Sequence, residues 1–153
     1  MKQPFDLENW NRKEHFHFFR QMSEPFFGAT VAIDCTKAYE KAKSISSSFF
    51  IYYLHKTLQA VNAIENFRYR IENDTIVVYD RIDGSPTIGR SDGTFGFSLT
   101  EFHPDFTVFE KNALAVQEAK KEGKKVVGQY CLYSPSEIAV AAGAIPVSLC
   151  GTR

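Results

Sequence analysis

Cysteine is scarce in this chain of 153 residues, with Cys35, Cys131 and Cys150 as the whole complement. Three thiols so far apart do not make a disulfide framework, and a reducing cytoplasm is the expected compartment. Net charge is also lacking. Lys plus Arg and Asp plus Glu both number 18, so no overall field draws the chain to nucleic acid or to an anionic membrane. Long apolar runs are missing, and none reaches the length of a membrane span. The opening MKQPFDLENW contains no apolar stretch of the kind a secretory signal requires. Low-complexity segments and fixed-period repeats are absent too.

Aromatic residues, in contrast, are abundant, with 14 Phe and 7 Tyr beside one Trp. A chain of this length buries a single-domain core. Composition leaves open whether the rings fill that core, an interface or a pocket.

The organising stretch runs from Ser48 to Tyr79. Phe50, Leu54, Leu58 and Val61 recur at helical spacing, which predicts a helix over 48–64 with those residues inward. Phe67, Tyr69 and Ile71 then alternate with Arg68 and Arg70, a strand pattern. Asn73-Asp74 supplies a tight turn, and Ile76–Tyr79 returns as a more buried strand.

Before this unit, residues 1–10 read as an extended lead-in and 11–20 as a short helix carrying Phe16, Phe18 and Phe19. His15 and His17 would share a face on a strand, as zinc ligands need, but diverge on a helix. The alternation in Ala29–Cys35 suggests a strand, with Thr36 capping the next helix. After it, Thr87-Ile88-Gly89 forms a short edge strand. Thr94–Phe102 is a strand with Phe95, Phe97 and Leu99 on one side, and Gly96 suggests a bulge. Asp105 caps a helix running to about Glu122, with Phe109, Ala113, Val116 and Ala119 inward. In the tail, Val126-Val127 is apolar, Ser134-Pro135-Ser136-Glu137 is a capping box, and Ile145–Leu149 reads as a strand.

Several separated blocks resemble the chloramphenicol acetyltransferase family: NWNRKEHFHFFR near the start, then QAVN, FRYRI and NDTIVVYD. The likeness runs from about Phe5 to about Lys121. It implies an α/β fold, a two-layer sandwich of a mixed or antiparallel sheet with helices on one face, similar to an incomplete CoA-dependent acyltransferase. It also implies acetyl-CoA as cosubstrate and a small aromatic hydroxyl acceptor such as chloramphenicol. The family works as a trimer, with the histidine base of one subunit facing the acceptor wall of the next. A homotrimer, or association with a complete family member, is therefore implied.

By position, Arg12 resembles the structural arginine that pairs with the aspartate of the catalytic motif. Phe19, Phe27, Ala29, Phe95 and Phe97 stand at or near acceptor-pocket positions. The bland alternative, core packing, weighs equally for Phe95 and Phe97 and is favoured for Phe27. The base itself belongs to an H-H-x-x-x-D-G motif, and these 153 residues contain no His-His pair. His55 and His103 are the remaining candidate bases, and neither matches the family position. The expectation is a chain inactive in isolation, with a non-catalytic ligand-binding or assembly module as the alternative.

From about Glu118, the elements G-Q-Y-C-L-Y-S-P-S-E and A-A-G-A-I-P-V are similar to the start of 2-hydroxyacyl-CoA dehydratase and benzoyl-CoA reductase type subunits. This divides the chain into an acetyltransferase-like part over 1–120 and a strand-helix-strand tail over 121–153 packed on it. A third reading follows, a fragment of a [4Fe-4S] dehydratase-type subunit. Cys131 and Cys150 are the candidate cluster ligands. A cluster needs three or four thiolates, so two buried thiols acting as small apolar side chains are favoured and no bound metal is expected.

Overall fold

The computed structural model describes residues 1–26, 28–89, 92–121, 126–129 and 145–148. The element order is β1 (Lys2–Pro4), α1 (Lys13–Arg20), α2 (Thr36–Ser44), α3 (Phe49–Ala63), a 3-10 turn (Glu65–Arg68), β2 (Tyr69–Glu72), β3 (Thr75–Tyr79), β4 (Thr87–Gly89), β5 (Phe95–Phe97), α4 (Phe106–Lys121), β6 (Val126–Gln129) and β7 (Ile145–Ser148). This is the expected α/β architecture of helices and mostly antiparallel strands. The strands form three small sheets: β1-β3-β2, β4-β5 and β6-β7.

The hairpin forms as its turn chemistry requires. Asn73 and Asp74 take φ of 45° and 68°, the left-handed region their short polar side chains tolerate. β2 and β3 pair from Glu72↔Thr75 to Tyr69↔Val78. Phe67 falls in the 3-10 turn, so the strand begins two residues later than the alternation suggests. The lead-in also forms a strand, because β1 pairs with the other edge of β3 from Lys2↔Tyr79 to Pro4↔Val77.

The core lies where α3 crosses α4. Ile51, Leu58, Phe109 and Ala113 are buried together, and Phe50, Leu54, Phe102 and Phe106 pack against them. The buried face of α3 is Ile51, His55 and Leu58, spaced i, i+4 and i+7. It is turned from the expected one, leaving Phe50, Leu54 and Val61 half-buried. α4 starts as expected: Asp105 Oδ1 accepts the N–H groups of Thr107 (2.8 Å) and Val108 (3.2 Å).

Asn62 joins α3 to the chain beyond β3. Its Nδ2 donates to the carbonyls of Leu58 and Ile82, both at 2.8 Å, and its Oδ1 accepts the Ile82 N–H at 2.7 Å. The amide thus satisfies both backbone groups of a buried residue, as a neighbouring strand would. Close by, Gly84 lies against Leu58. A Cβ there would sit 3.1 Å from Leu58 Cδ1, so a side chain would push the helix away.

Four expectations are corrected. Ala29–Cys35 is not a strand, and Val31 and Ile33 are 75% and 78% exposed. Its period-two pattern has no partner strand among the described residues, and unpaired backbone in water gains nothing from extension. Thr36 is the first residue of α2 rather than its cap; Cys35 holds the N-cap position, and Asp34 Oδ1 just before it accepts the Thr36 N–H at 2.9 Å. In 94–102 only Phe95–Phe97 is strand, and the inward face is reversed: Ser98 and Thr100 are buried. Their N–H groups donate to Pro86 (3.1 Å) and Gly84 (2.8 Å), so backbone pairing sets the register against the apolar pattern. Gly96 pairs with Ile88 in regular register, with no bulge.

In the tail, β6 and β7 pair in parallel from Val126↔Ile145 to Gln129↔Ser148, which agrees with the expected strand at Ile145 and extends the one at Val126. The expected helix after the capping box lies outside the described residues.

Two outcomes test this architecture. Asn62→Ala is expected to lower stability by about 2–3 kcal/mol in urea unfolding, because it strands the Ile82 N–H and C=O. The exposed control Lys56→Ala should change it by less than about 0.5 kcal/mol. The second concerns alkaline pH. Glu72 accepts from Lys2 Nζ and, at 2.5 Å, from the Tyr79 hydroxyl. That bond holds the Lys2 ammonium above its ordinary value, and burial followed by the Glu72 bond raises the Tyr79 phenol. Raised groups favour the fold while protonated, so their contribution is complete below their ordinary values and fades as pH climbs through the folded ones. Stability should therefore fall above pH about 10. Tyr79→Phe should flatten that fall, as measured by denaturant midpoints across the range.

Candidate functional site

One open cleft of about 380 Å³ lies between α1 and the hairpin strand β2. Its floor begins with an aromatic triad. Phe5 meets Trp10 edge-on at 5.2 Å and Tyr69 at 4.8 Å, and Trp10 meets Tyr69 at 6.4 Å. These contacts join the lead-in to β2 and place Trp10 and Tyr69 in the cleft wall. α1 supplies the opposite wall. Arg12, His15, Phe16, Phe19 and Arg20 line it at spacings of three and four, the stripe of one helical face. Pro25, Asn66 and Ile71 complete the lining.

α1 is held at this distance by Arg20. Its guanidinium donates to the Asp74 carbonyl at 2.8 Å and to the Asp74 carboxylate, and it lies 5.7 Å from the Phe16 ring. The left-handed turn of the hairpin is therefore also the anchor of the helix. Across the cleft, the Tyr69 hydroxyl donates to Glu65 Oε1 at 2.8 Å. Burial, then that bond, raises the phenol above its ordinary value. Tyr69 thus presents a neutral ring to the cleft near neutral pH. The lining holds three nitrogen bases, Arg12, His15 and Arg20, and no carboxylate.

The sequence-derived site residues separate into groups. Arg12 and Phe19 lie together in the cleft, with Phe19 49% exposed. Ala29 sits on the exposed 28–35 segment outside the lining, and Phe27 lies outside the described residues. Phe95 and Phe97 are on β5, 62% and 60% exposed, edge-on to each other at 5.9 Å. They are neither core nor part of the cleft wall.

His55 is 1% exposed and ringed by Phe102, Phe106 and Phe109 at 5.8, 5.4 and 5.1 Å. Its Nε2 lies 3.0 Å from the His103 carbonyl, which can only accept, so that nitrogen carries the proton. His103 Nδ1 accepts the Asp105 N–H at 3.1 Å and shapes the turn into α4. Neither ring lines the cleft. His15 and His17 diverge on α1, and only His15 reaches it. Among the described residues no group of three or more His, Cys, Asp or Glu could hold a metal ion. Cys131 and Cys150 lie outside them.

Sequence reading missed Trp10, His15, Phe16, Arg20 and Tyr69 as wall residues. The signal for the α1 set was the i, i+3, i+4 stripe beginning at Arg12. No local signal places Tyr69, because the hairpin meets α1 only through long-range contacts.

The family model for chloramphenicol acetyltransferase matches residues 3–142, which continues past the boundary near 121. Chloramphenicol acetyltransferase 3 of Escherichia coli is 30% identical over 126 residues, spanning 82% of this chain and 59% of that protein. Chloramphenicol acetyltransferase of Klebsiella sp is 28% identical over 105 residues, spanning 68% and 48% respectively. The chain therefore covers about half the length of the curated relatives it matches. A solved chloramphenicol acetyltransferase superposes with a TM-score of 0.74 at 37% identity, over 97% of this chain and 69% of that one. A match over most of its length, joined to a shared fold, makes this chain a member of the chloramphenicol acetyltransferase family.

Proposed function

We propose that the chain provides the acceptor side of an acetyl-CoA-dependent O-acetyltransferase whose acceptor is a small aromatic alcohol such as chloramphenicol. The observation that carries this reading is the meeting of Arg12 and Phe19 in one aromatic cleft, in a chain of this family. Trp10, Phe16, Phe19 and Tyr69 offer stacking faces to an aromatic ring, and the polar atoms of Asn66 and the bases orient its substituents.

Acetyl transfer needs a base for the acceptor hydroxyl. His55 and His103 are committed to the core and to a turn, and the 153 residues carry no His-His pair. The isolated chain is therefore proposed to be inactive, with a base supplied by another subunit when it works. Ala29, Phe27, Phe95 and Phe97 remain proposed acceptor contacts only in such an assembly.

Exposed apolar side chains support association. Phe18, Phe26, Val31, Ile33, Phe95 and Phe97 are all exposed. A homotrimer or a complex with a complete family member would cover them. No helix among the described residues is long and apolar enough to cross a membrane. Use of acetyl-CoA fits a cytoplasmic enzyme without bound metal.

We divide the chain near residue 120, with 121–153 as a tail unit. The parallel β6-β7 pair supports a strand-helix-strand tail, because a parallel pair needs a crossover between its strands. The family match through 142 favours the acetyltransferase reading over a [4Fe-4S] dehydratase fragment for most of that tail.

The test is chloramphenicol acetylation followed by thiol release from acetyl-CoA. No turnover above background is expected for the purified chain, and turnover is expected on mixing it with a complete family member whose own acceptor wall has been disabled. Turnover by the chain alone would overturn the proposed division of labour. No turnover in the mixture would leave the ligand-binding module as the better reading.

A further inference from the structure

We propose that Asp74 is a positioning residue for the acceptor cleft: it occupies a turn position that glycine would fill with less strain, and its carboxylate secures α1 through Arg20. This deepens the acceptor-side reading and rests on it.

Asn73 and Asp74 make a two-residue hairpin turn between Glu72 and Thr75, both with positive φ. The second place in such a turn is ordinarily glycine, which enters the left-handed region without the clash that a Cβ brings. Asn73 fits the first place. Asp74, at φ 68°, carries a side chain that the turn itself does not require. That side chain is used across the fold. Two nitrogens of the Arg20 guanidinium take two oxygens of this one residue: Nη1 donates to the carbonyl at 2.8 Å, and Nη2 donates to the carboxylate. The Phe16 ring, 5.7 Å from the guanidinium, backs the fork. The Asp74 carboxylate is open to solvent, so the pair is modest in strength and sensitive to salt.

Position gives the modest pair its leverage. α1 has eight residues and is about 12 Å long, too short to persist as a helix without docking. Its start is tied to β2 where the Trp10 ring meets Tyr69, and its last residue, Arg20, is tied to the tip of the hairpin. Phe16 and Phe19 stand between the two ties and line the cleft. Release at Arg20 lets that end swing about Trp10 and carries both rings away from Tyr69 and Ile71 on the opposite wall.

Asp74→Gly relieves the turn and removes the carboxylate, so it should move two segments in opposite directions. Hydrogen exchange is expected to slow in the β2–β3 hairpin and to quicken about fivefold in α1. A role confined to the turn would shift both segments the same way. Asp74→Asn, whose amide oxygen still accepts from Arg20, should keep most of the α1 protection. In about 0.5 M salt α1 of the unaltered chain should quicken as well, which gives an answer even if a variant misfolds. Exchange of α1 that responds neither to Asp74→Gly nor to salt would overturn the proposal.

Trp10 is the only tryptophan and lines the cleft, so its fluorescence follows chloramphenicol binding to the intact chain. Asp74 is outside the lining, so a change of affinity on its substitution acts through α1. Binding is expected to weaken about fivefold in Asp74→Gly and to recover in Asp74→Asn. Unchanged affinity in Asp74→Gly with a loosened α1 would defeat the positioning role. If chloramphenicol binds and neither its affinity nor α1 responds, the anchor fails and the acceptor cleft stands. If α1 loosens as expected and the unaltered chain binds no chloramphenicol, the anchor stands and the acceptor reading fails.

Discussion

The three hydrogen bonds of Asn62 hold together the two halves of the described fold. One amide at the end of α3 closes both backbone groups of Ile82, where the chain leaves β3. Upstream of it, Ile51, His55 and Leu58 lock α3 against Phe109 and Ala113 of α4. Downstream, the chain reaches Gly84, whose bare backbone lets Leu58 approach. The hairpin hangs between these two fixed points, since the 3-10 turn follows α3 directly and Ile82 follows β3. A loose Asn62 would remove this polar link between α3 and the chain that leaves β3, and apolar contact by itself does not set orientation.

The cleft depends on that orientation. Tyr69 and Ile71 form one wall because β2 is held in place, and Asp74 at the tip of the hairpin anchors Arg20 of the other wall. The aromatic triad of Phe5, Trp10 and Tyr69 closes the base. The cavity is thus a product of long-range contacts between segments separated by about fifty residues of chain. His55 illustrates the opposite use of a polar group. Buried among three phenylalanines, with Nδ1 unpartnered among the described residues, it binds the turn at His103 rather than a substrate.

What was legible in the sequence was local. The 3.6-residue period of α3, the Asn73-Asp74 turn and the Asp105 cap each depend on a few neighbouring residues, and each forms as expected. The failures are places where a distant partner decides. Ala29–Cys35 has the alternation of a strand, but nothing among the described residues pairs with it. Ser98 and Thr100 turn inward because Pro86 and Gly84 take their N–H groups, although Phe95 and Phe97 are the more apolar pair. The buried face of α3 rotates toward Ile51 because α4 arrives there. For the site, resemblance brought Arg12 and Phe19 to the same place, whereas Trp10, His15 and Tyr69 became visible only with the tertiary arrangement.

The described fold has two aromatic surfaces, the α1–β2 cleft and the exposed Phe95–Phe97 edge, and the first is the proposed acceptor site. Amide and indole resonances of the labelled chain, followed during titration with chloramphenicol, separate them directly. Shifts centred on Trp10, Phe16, Phe19 and Tyr69, with β5 unmoved, are expected. Shifts centred on Phe95 and Phe97, or a spectrum unchanged at saturating ligand, would contradict the cleft as the acceptor site.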